Sequence, residues 1–169
     1  MSQNRYFREV YFMTPGLLKE YDVNALGPLR VAKGIESKLK SGSKLILISS
    51  MLASIQLVET NAPEVFLGYR MSKAALNMLG KMLAVNWKTK GIAVGIFNPG
   101  VIQTDMSGHI GITPTECVKQ LLLNFNKLSI ENTGNFWNLF PGLKPYNGTG
   151  PFMDCFPELE EGGSEFCLW

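Results

Sequence analysis

Apolar residues recur along the first half of the chain at two different spacings, and each spacing predicts a kind of element. From Thr14 to about Leu39 they fall at helical intervals, with Thr14 as the cap and Pro15 in the first turn. Residues 44–48 are a short apolar run after a Ser-Gly-Ser turn, which is typical of a strand covered on both faces. Residues 49–66 are small, polar and proline-containing, and this composition predicts a loop.

The second half of the pattern begins with the clearest helix in the sequence. Apolar residues at i, i+3, i+4 spacing predict one apolar face, which is either core or a helix–helix contact, made of Met71, Ala74, Ala75, Met78, Leu79, Met82 and Val85. Gly91 ends this helix, and residues 92–97 predict a second buried strand. A capping box of Thr113 and Glu116 opens a further helix. Its predicted inward residues are Val118, Leu121, Leu122, Phe125 and Leu128.

The order helix–strand–helix–strand–helix predicts an α/β fold with a parallel sheet and right-handed crossovers. Two strands are too few for a stable parallel sheet, so we expect the others to be missing or to come from the chain ends or a partner. Residues 1–13 show no period, and residues 131–169 are rich in glycine, proline, asparagine and aromatic residues. We therefore expect an irregular N-terminus, a partial domain over residues 14–130 and an irregular C-terminal tail.

Composition narrows the class of protein. A length of 169 residues suggests one domain, and a net charge of +2 gives no electrostatic footprint for nucleic acid or an anionic membrane. The three cysteines are odd in number and scattered, so neither a disulfide framework nor a metal site is indicated. The sequence shows no signal peptide and no membrane-length apolar run, and we expect a cytoplasmic protein.

Tyr69 and Lys73 are spaced four residues apart in the clearest helix, which places a phenol and an ammonium group on one face of one turn. A cation at that distance favours the phenolate. We therefore expect Lys73 to lower the pKa of Tyr69 from about 10 towards the range of an acid–base catalyst. The alternative is an ordinary helical pair whose polar ends reach water.

Pro28 lies four residues after Asn24 and has no N–H group, so the carbonyl of Asn24 loses its helical partner. We expect a kink at which this carbonyl bonds another group, and water is the obvious candidate. The alternative is a plain proline kink without a role in chemistry.

Polar and small residues follow both predicted strands, at the edge where ligands meet parallel sheets. After the first strand, Ser49, Ser50 and Ser54 compete to present a hydroxyl that could stabilise charge on a substrate oxygen, although such serines also form turns. After the second strand, Gly100 follows Pro99 and permits a close backbone approach, or only forms a turn.

Four signatures occur together and in one order: Val23-Asn24, Ile48-Ser49-Ser50, Tyr69-x-x-x-Lys73, and the stretch from Asn98 to Met106 that begins Asn-Pro-Gly. In this respect the sequence resembles the short-chain dehydrogenase/reductases, in particular the C-factor and sniffer-like carbonyl reductases, over roughly residues 14–130. The resemblance implies the C-terminal part of a Rossmann-like, doubly wound parallel sheet. It also implies an oxidoreductase that reduces carbonyls or oxidises alcohols with NADP or NAD.

The resemblance also implies roles for individual residues. Tyr69 would be the general acid or base, Ser50 would bond the substrate oxygen, and the carbonyl of Asn24 would hold a water in a proton relay to Lys73. The residues implied to contact the cofactor are Tyr69, Lys73, Pro99, Gly100, Ile102 and Thr104. The partners implied are a small carbonyl or alcohol substrate and a second copy of the chain, which would pair through the helices within residues 15–40 and 67–90.

The family's Thr-Gly-x-x-x-Gly-x-Gly turn, which cradles the cofactor pyrophosphate, does not occur in this sequence. Three hypotheses follow from this. The chain is a truncated form of an NAD(P)-dependent carbonyl reductase, or a catalytically silent module for dimerisation and interaction, or one part of a sheet completed by another chain. We favour the first as the origin of these residues.

Overall fold

A parallel sheet of three strands forms the centre of the computed structural model, which describes residues 14–55 and 66–139. The strands are β1 (Lys44–Ile48), β2 (Ala93–Asn98) and β3 (Phe136–Asn138), and they lie in the order β1-β2-β3. Both pairs are parallel, so the chain crosses back over the sheet between strands. This arrangement confirms the predicted α/β class.

The first predicted helix is present but interrupted. It consists of α1 (Thr14–Tyr21), a π-helical turn (Asp22–Leu26) and α2 (Gly27–Ile35). Within the π turn the N–H of Gly27 bonds the carbonyl of Asp22, five residues back. Pro28 explains the interruption, because it has no N–H and its ring clashes with the carbonyl four residues earlier. The predicted kink near Asn24 is therefore confirmed, in the form of a π turn.

Two further helices follow β1 and β2. They are α3 (Leu67–Lys88) and α4 (Pro114–Lys127). Gly91, which was predicted to stop α3, lies three residues after Lys88 and adopts the left-handed region at φ +70°. At the start of α4, the hydroxyl of Thr113 accepts a hydrogen bond from the N–H of Glu116 at 3.2 Å. None of the helices in the described part of the chain is long and apolar enough to cross a membrane.

Apolar side chains cover both faces of the sheet. On the face towards α3 the buried cluster contains Ala32, Leu47, Leu76, Ala84, Trp87, Ile92 and Val94. On the opposite face it contains Ala93, Phe97, Leu128, Trp137 and Leu139. The rings of Phe97 and Trp137 stack with centroids 5.6 Å apart, which ties β2 to β3.

The predicted inward face of α4 is wrong in part, because Val118 and Leu122 are 51% and 56% exposed. On α3 the apolar face predicted as core or helix–helix contact does not pack on the sheet. Its side chains are 56–65% exposed, namely Met71, Met78, Met82 and Val85. On α3 the buried positions include Gly80 and Ala84, whose small size lets the helix approach the sheet closely. Because α3 is apolar on more than one face, its period alone did not identify the face that packs on the sheet.

β3 lies inside the segment predicted as an irregular tail. Its three residues are all buried, and the N–H of Leu139 bonds the carbonyl of Asn98 at 3.0 Å, so the sheet continues past residue 130. A three-residue strand is too short to show an alternating pattern in the sequence. The predictions for residues 1–13 and for the rest of the tail lie outside the described residues.

Candidate active site

The carboxyl ends of β1 and β2 meet the π turn and the first two turns of α3, and the predicted catalytic residues gather there. Asn24 lies in the π turn, Ser50 follows β1 by two residues, and Tyr69 and Lys73 lie on α3. In open parallel sheets this edge is where ligands bind, because the loops that follow the strands converge on it. All four residues therefore share one region of the surface.

The hydroxyl of Tyr69 is half-buried and hydrogen-bonded to the side chain of Ser50. Burial raises the pKa of Tyr69 above its ordinary value of 10.0, and the bond with Ser50 acts in the opposite direction with a smaller effect. The phenol is therefore protonated at neutral pH. A protonated phenol next to a second hydroxyl can donate to the oxygen of a bound carbonyl compound.

Lys73 does not act on Tyr69 as predicted. Its ammonium group donates to the carbonyl of Ile48 at 2.9 Å and lies 5.6 Å from the centroid of the Tyr69 ring. Burial lowers the pKa of Lys73, and burial, rather than the ammonium, decides the direction of the shift at Tyr69. The predicted lowering of the Tyr69 pKa is therefore wrong in this structure.

The three competing serines have different surroundings. Ser49 is buried, its N–H extends the pairing of β1 by bonding the carbonyl of Phe97, and its hydroxyl donates to the side-chain oxygen of Asn77. Ser54 is buried at the end of a short 3₁₀ turn. Ser50 is the serine hydrogen-bonded to Tyr69, and its hydroxyl also accepts the N–H of Leu52 at 3.2 Å.

Asn24 reaches α3 through its side chain. Its amide nitrogen donates to the hydroxyl of Ser72 at 3.1 Å, and that hydroxyl donates to the backbone carbonyl of Tyr69 at 2.8 Å. Ser72 is completely buried. The sequence prediction missed Ser72, since its bond with Asn24 forms only when the π turn packs on α3.

The segment predicted to hold the nicotinamide begins directly after β2. Gly100 has φ +75°, and its N–H bonds the side-chain oxygen of Asn98 at 3.3 Å. Ile102 forms a parallel bridge with Ile112, made by the N–H of Gln103 and the carbonyl of Val101. The N–H and carbonyl of Ile102 itself therefore face away from Ile112.

Thr104 belongs to a second capping box that the sequence prediction also missed. Its side chain accepts the N–H of Ser107, and the hydroxyl of Ser107 in turn accepts the N–H of Thr104 at 3.1 Å. The hydroxyl of Ser107 also donates to the carbonyl of Ile102 at 2.6 Å. Pro99 is buried, and these bonds connect the loop that follows it to the backbone of Ile102.

A groove of about 450 Å³ runs along the outer edge of β1 beside these residues. Apolar side chains from the π turn, α2 and β1 form most of its lining, and Asn24 and Lys73 provide its polar groups. Since the N–H of Ser49 bonds β2, the carbonyl of Ile48 faces this free edge, where Lys73 holds it. The groove therefore connects the strand edge with the ammonium group of the site.

Residues 13–122, more than half of the chain, match the family model described as enoyl-(acyl carrier protein) reductase. The chain belongs to the short-chain dehydrogenase/reductase family. The predicted resemblance is thereby confirmed. One relative in this family is 1-hydroxy-2-glutathionyl-2-methyl-3-butene dehydrogenase of Rhodococcus sp. strain AD45, which is 30% identical over 123 residues, 70% of this chain and 53% of the relative.

Two solved structures that resemble this chain in fold are carbonyl reductases. An NADPH-bound carbonyl reductase from chicken fatty liver is 29% identical with a TM-score of 0.65. The match covers 73% of this chain and 54% of the reductase. Carbonyl reductase Sniffer of D. melanogaster is 27% identical with a TM-score of 0.59 and the same coverage. The matches confirm the Rossmann-like fold and relate the chain to oxidoreductases. This short-chain dehydrogenase/reductase spans about half the length of these relatives.

Proposed function

We propose that this chain performs the proton-transfer part of NAD(P)-dependent carbonyl reduction on small aldehydes or ketones. The observation that carries the proposal is the hydroxyl of Tyr69, which burial keeps protonated and which is hydrogen-bonded to Ser50. Family membership supports the reaction class, since the relatives named above are a dehydrogenase and carbonyl reductases. A raised pKa favours the direction in which Tyr69 gives its proton away.

In the proposed reaction, Ser50 donates a hydrogen bond to the substrate carbonyl oxygen, and Tyr69 transfers its proton to that oxygen as negative charge develops there. A nicotinamide cofactor, when bound, supplies the hydride for the carbonyl carbon. Lys73 stabilises the tyrosinate that remains, after its ammonium group leaves the carbonyl of Ile48. The backbone carbonyl of Asn24 holds the water through which Tyr69 regains a proton.

The residues after β2 fit the nicotinamide end of NADP or NAD. Gly100 permits a close backbone approach, Pro99 begins the loop, and the N–H of Ile102 faces away from its bridge partner. We assign the carboxamide to the backbone of Ile102 and the hydroxyl of Thr104, and the ribose hydroxyls to Lys73 and Tyr69. The sequence contains no glycine-rich turn for the pyrophosphate, so this assignment covers one end of the cofactor.

We also propose that two copies of the chain pair through the helices within residues 15–40 and 67–90. The apolar residues on the outer face of α3 are 56–65% exposed, namely Met71, Met78, Met82 and Val85. On α1, Leu18 is 65% exposed. A continuous apolar face of this kind is costly in water and is typical of a protein–protein interface.

The proposal is tested by Tyr69→Phe, which removes only the hydroxyl. With NADPH or NADH and a panel of small aldehydes and ketones, we expect the rate of reduction to fall by about 10²–10⁴-fold, the usual contribution of a general acid. Tyr21→Phe is the matched control, because Tyr21 is 41% exposed at the end of α1 and has no role in the proposed reaction, so the loss of its hydroxyl should leave the rate unchanged. Full activity of the Tyr69→Phe chain, or a folded wild-type chain that reduces none of these substrates with either cofactor, contradicts the proposal.

A further inference from the structure

A buried hydroxyl that the proposed reaction does not use lies between the two principal residues of the site. Ser72 precedes Lys73 on α3, has no exposed surface, and faces the π turn. Its hydroxyl takes part in two hydrogen bonds, as acceptor from the side-chain amide of Asn24 and as donor to the backbone carbonyl of Tyr69. A buried hydroxyl of this kind is costly unless it is paired, and here both of its roles are filled.

The π turn holds the first member of this chain of bonds. Asn24 is half-buried within the π turn, and Pro28 fixes the position of that turn along the helix. The side chain of Asn24 therefore has a role separate from that of its backbone carbonyl, which was assigned to a water. The two roles can be separated by Asn24→Ala, because this substitution removes the side-chain amide and keeps the backbone carbonyl.

The last member of the chain is the peptide group of Tyr69. A serine hydroxyl that bonds the carbonyl three residues earlier adds a second donor to that carbonyl and changes the local bend of the helix. The bond from Asn24 to Ser72 thus attaches the turn from Tyr69 to Lys73 to the π turn, and the bond from Ser72 to Tyr69 continues it to the backbone of that turn. In a low-dielectric interior two linked bonds of this kind strengthen one another.

We propose that Ser72 and the side chain of Asn24 are positioning residues, which hold the first turns of α3 so that the hydroxyl of Tyr69 meets Ser50. The consequence for catalysis rests on the proposed function, but the positioning itself does not. Without Ser72, the amide of Asn24 loses its acceptor and the carbonyl of Tyr69 loses its second donor. The turn then relaxes, and the bond between Tyr69 and Ser50 weakens.

The test is the NMR signal of the Tyr69 ring carbon that bears the hydroxyl, in chains labelled at that atom and assigned by its absence in Tyr69→Phe. Since the bond with Ser50 acts to lower the pKa of Tyr69, we expect Ser72→Ala and Asn24→Ala each to move the titration midpoint upwards. The double variant should move it no further than either single variant, because the two bonds form one chain.

Hydrogen exchange gives a second readout in the same variants. In an α-helix the amide of Lys73 donates to the carbonyl of Tyr69, so the loss of Ser72 should speed exchange of that amide by about tenfold. Thr133→Val is the matched control. It removes a hydroxyl that accepts the N–H of Val94 at 2.8 Å, at the end of β2 opposite the site, and should leave the Tyr69 signal unchanged.

An unchanged Tyr69 titration in Ser72→Ala, with a loss of stability like that of Thr133→Val, would overturn the positioning role. Additive shifts in the double variant would overturn the single chain of bonds. If Ser72→Ala does not fold, Ser72→Cys keeps the shape with a weaker donor and acceptor, and the same upward shift is expected. Neither the Tyr69 titration nor the hydrogen exchange depends on catalytic turnover. Activity retained in Tyr69→Phe would therefore contradict the proposed function but not the positioning role of Ser72.

Discussion

At the scale of single residues, burial and hydrogen bonding act on Tyr69 in opposite directions, and burial has the larger effect. The folded state therefore holds the phenol proton more tightly than the unfolded state does. The stability associated with this group is fully present below pH 10.0, the ordinary pKa, and is lost as the pH rises through the folded pKa. Tyr69 is thus suited to donating a proton at neutral pH.

The pKa of Glu36 is shifted downwards, opposite to that of Tyr69, and its effect on stability falls in the acid range. One of its carboxylate oxygens accepts the ammonium group of Lys90 at 2.6 Å and the indole N–H of Trp87 at 3.1 Å. These bonds, that of Lys90 first, lower the pKa of Glu36 from 4.5, so the stability they add is present above pH 4.5 and is lost as the pH falls through the folded pKa.

We therefore expect Glu36→Gln to be less stable than the wild type at neutral pH and to approach it in acid. Urea unfolding across the acid range measures this, and Lys90→Met should reproduce part of the effect, since Lys90 is the larger cause. A stability difference between wild type and Glu36→Gln that is the same at acid and neutral pH would show that the bonds to Glu36 contribute nothing measurable.

At the scale of elements, the order and bounds of helices and strands followed from the sequence better than the faces they bury. The proline kink was predictable because Pro28 acts on its own helix. The packing face of α3 was not, because Gly80 and Ala84 carry little hydrophobic signal, and their burial depends on the fit to β1 and β2. A further strand from a chain end was one of the expected possibilities, but the position of β3 could not be predicted, since its three residues are recognised only through pairing with β2.

The residues of the site also divide into those that local sequence motifs indicate and those that depend on tertiary packing. Tyr69, Lys73 and Ser50 belong to local motifs, so the sequence alone was enough to name them as candidates. Ser72 and the contact of Lys73 with Ile48 depend on how separate elements pack, so the sequence carried no signal for them. The wrong direction expected for the pKa of Tyr69 has the same origin, because burial is a property of the folded molecule.

Gly80 provides a test of the close packing of α3. A Cβ at this position would lie 2.5 Å from Cγ1 of Ile96 and 3.0 Å from Cδ1 of Leu47, so Gly80→Ala should overpack the core. We expect a loss of about 1–3 kcal/mol from strain, offset by up to about 1 kcal/mol of helix propensity.

The matched control for Gly80 is Gly34→Ala in α2, where an added Cβ meets nothing within 4 Å. There the helix propensity acts alone and should stabilise the protein by about 0.5–1 kcal/mol. Chemical denaturation of both variants measures the difference. If Gly80→Ala were as stabilising as Gly34→Ala, the close contact between α3 and the sheet would be disproved.

At the scale of the whole molecule, the described part of this short-chain dehydrogenase/reductase leaves two apolar surfaces in contact with water. One is the groove along β1, and the other is the outer face of α3. The chain spans about half the length of its relatives, and within residues 14–55 and 66–139 the sheet ends at β1 on the side of the groove. We expect the outer face of α3 to be buried in a dimer.

Met82→Lys tests the dimer, because it places a charge in the middle of that outer face, where Met82 is 57% exposed. Light scattering should give twice the chain mass of 18.7 kDa for the wild type and a single chain mass for the variant. Met106→Lys is the control, since Met106 is 88% exposed in the loop after Thr104. A dimer that survives Met82→Lys would place the interface elsewhere. A wild-type chain that is monomeric would disprove the dimer.

The role of Tyr69 as a proton donor can be tested by titrating the labelled Tyr69 ring carbon from neutral to strongly alkaline pH, in the wild type and in Ser50→Ala. We expect a wild-type midpoint above 10.0, because burial keeps the proton on the phenol. We expect a higher midpoint still in Ser50→Ala, because the bond that opposes burial is lost. A wild-type midpoint at or below 10.0, or a midpoint that Ser50→Ala does not move, would contradict the claim that Tyr69 is a proton donor paired with Ser50.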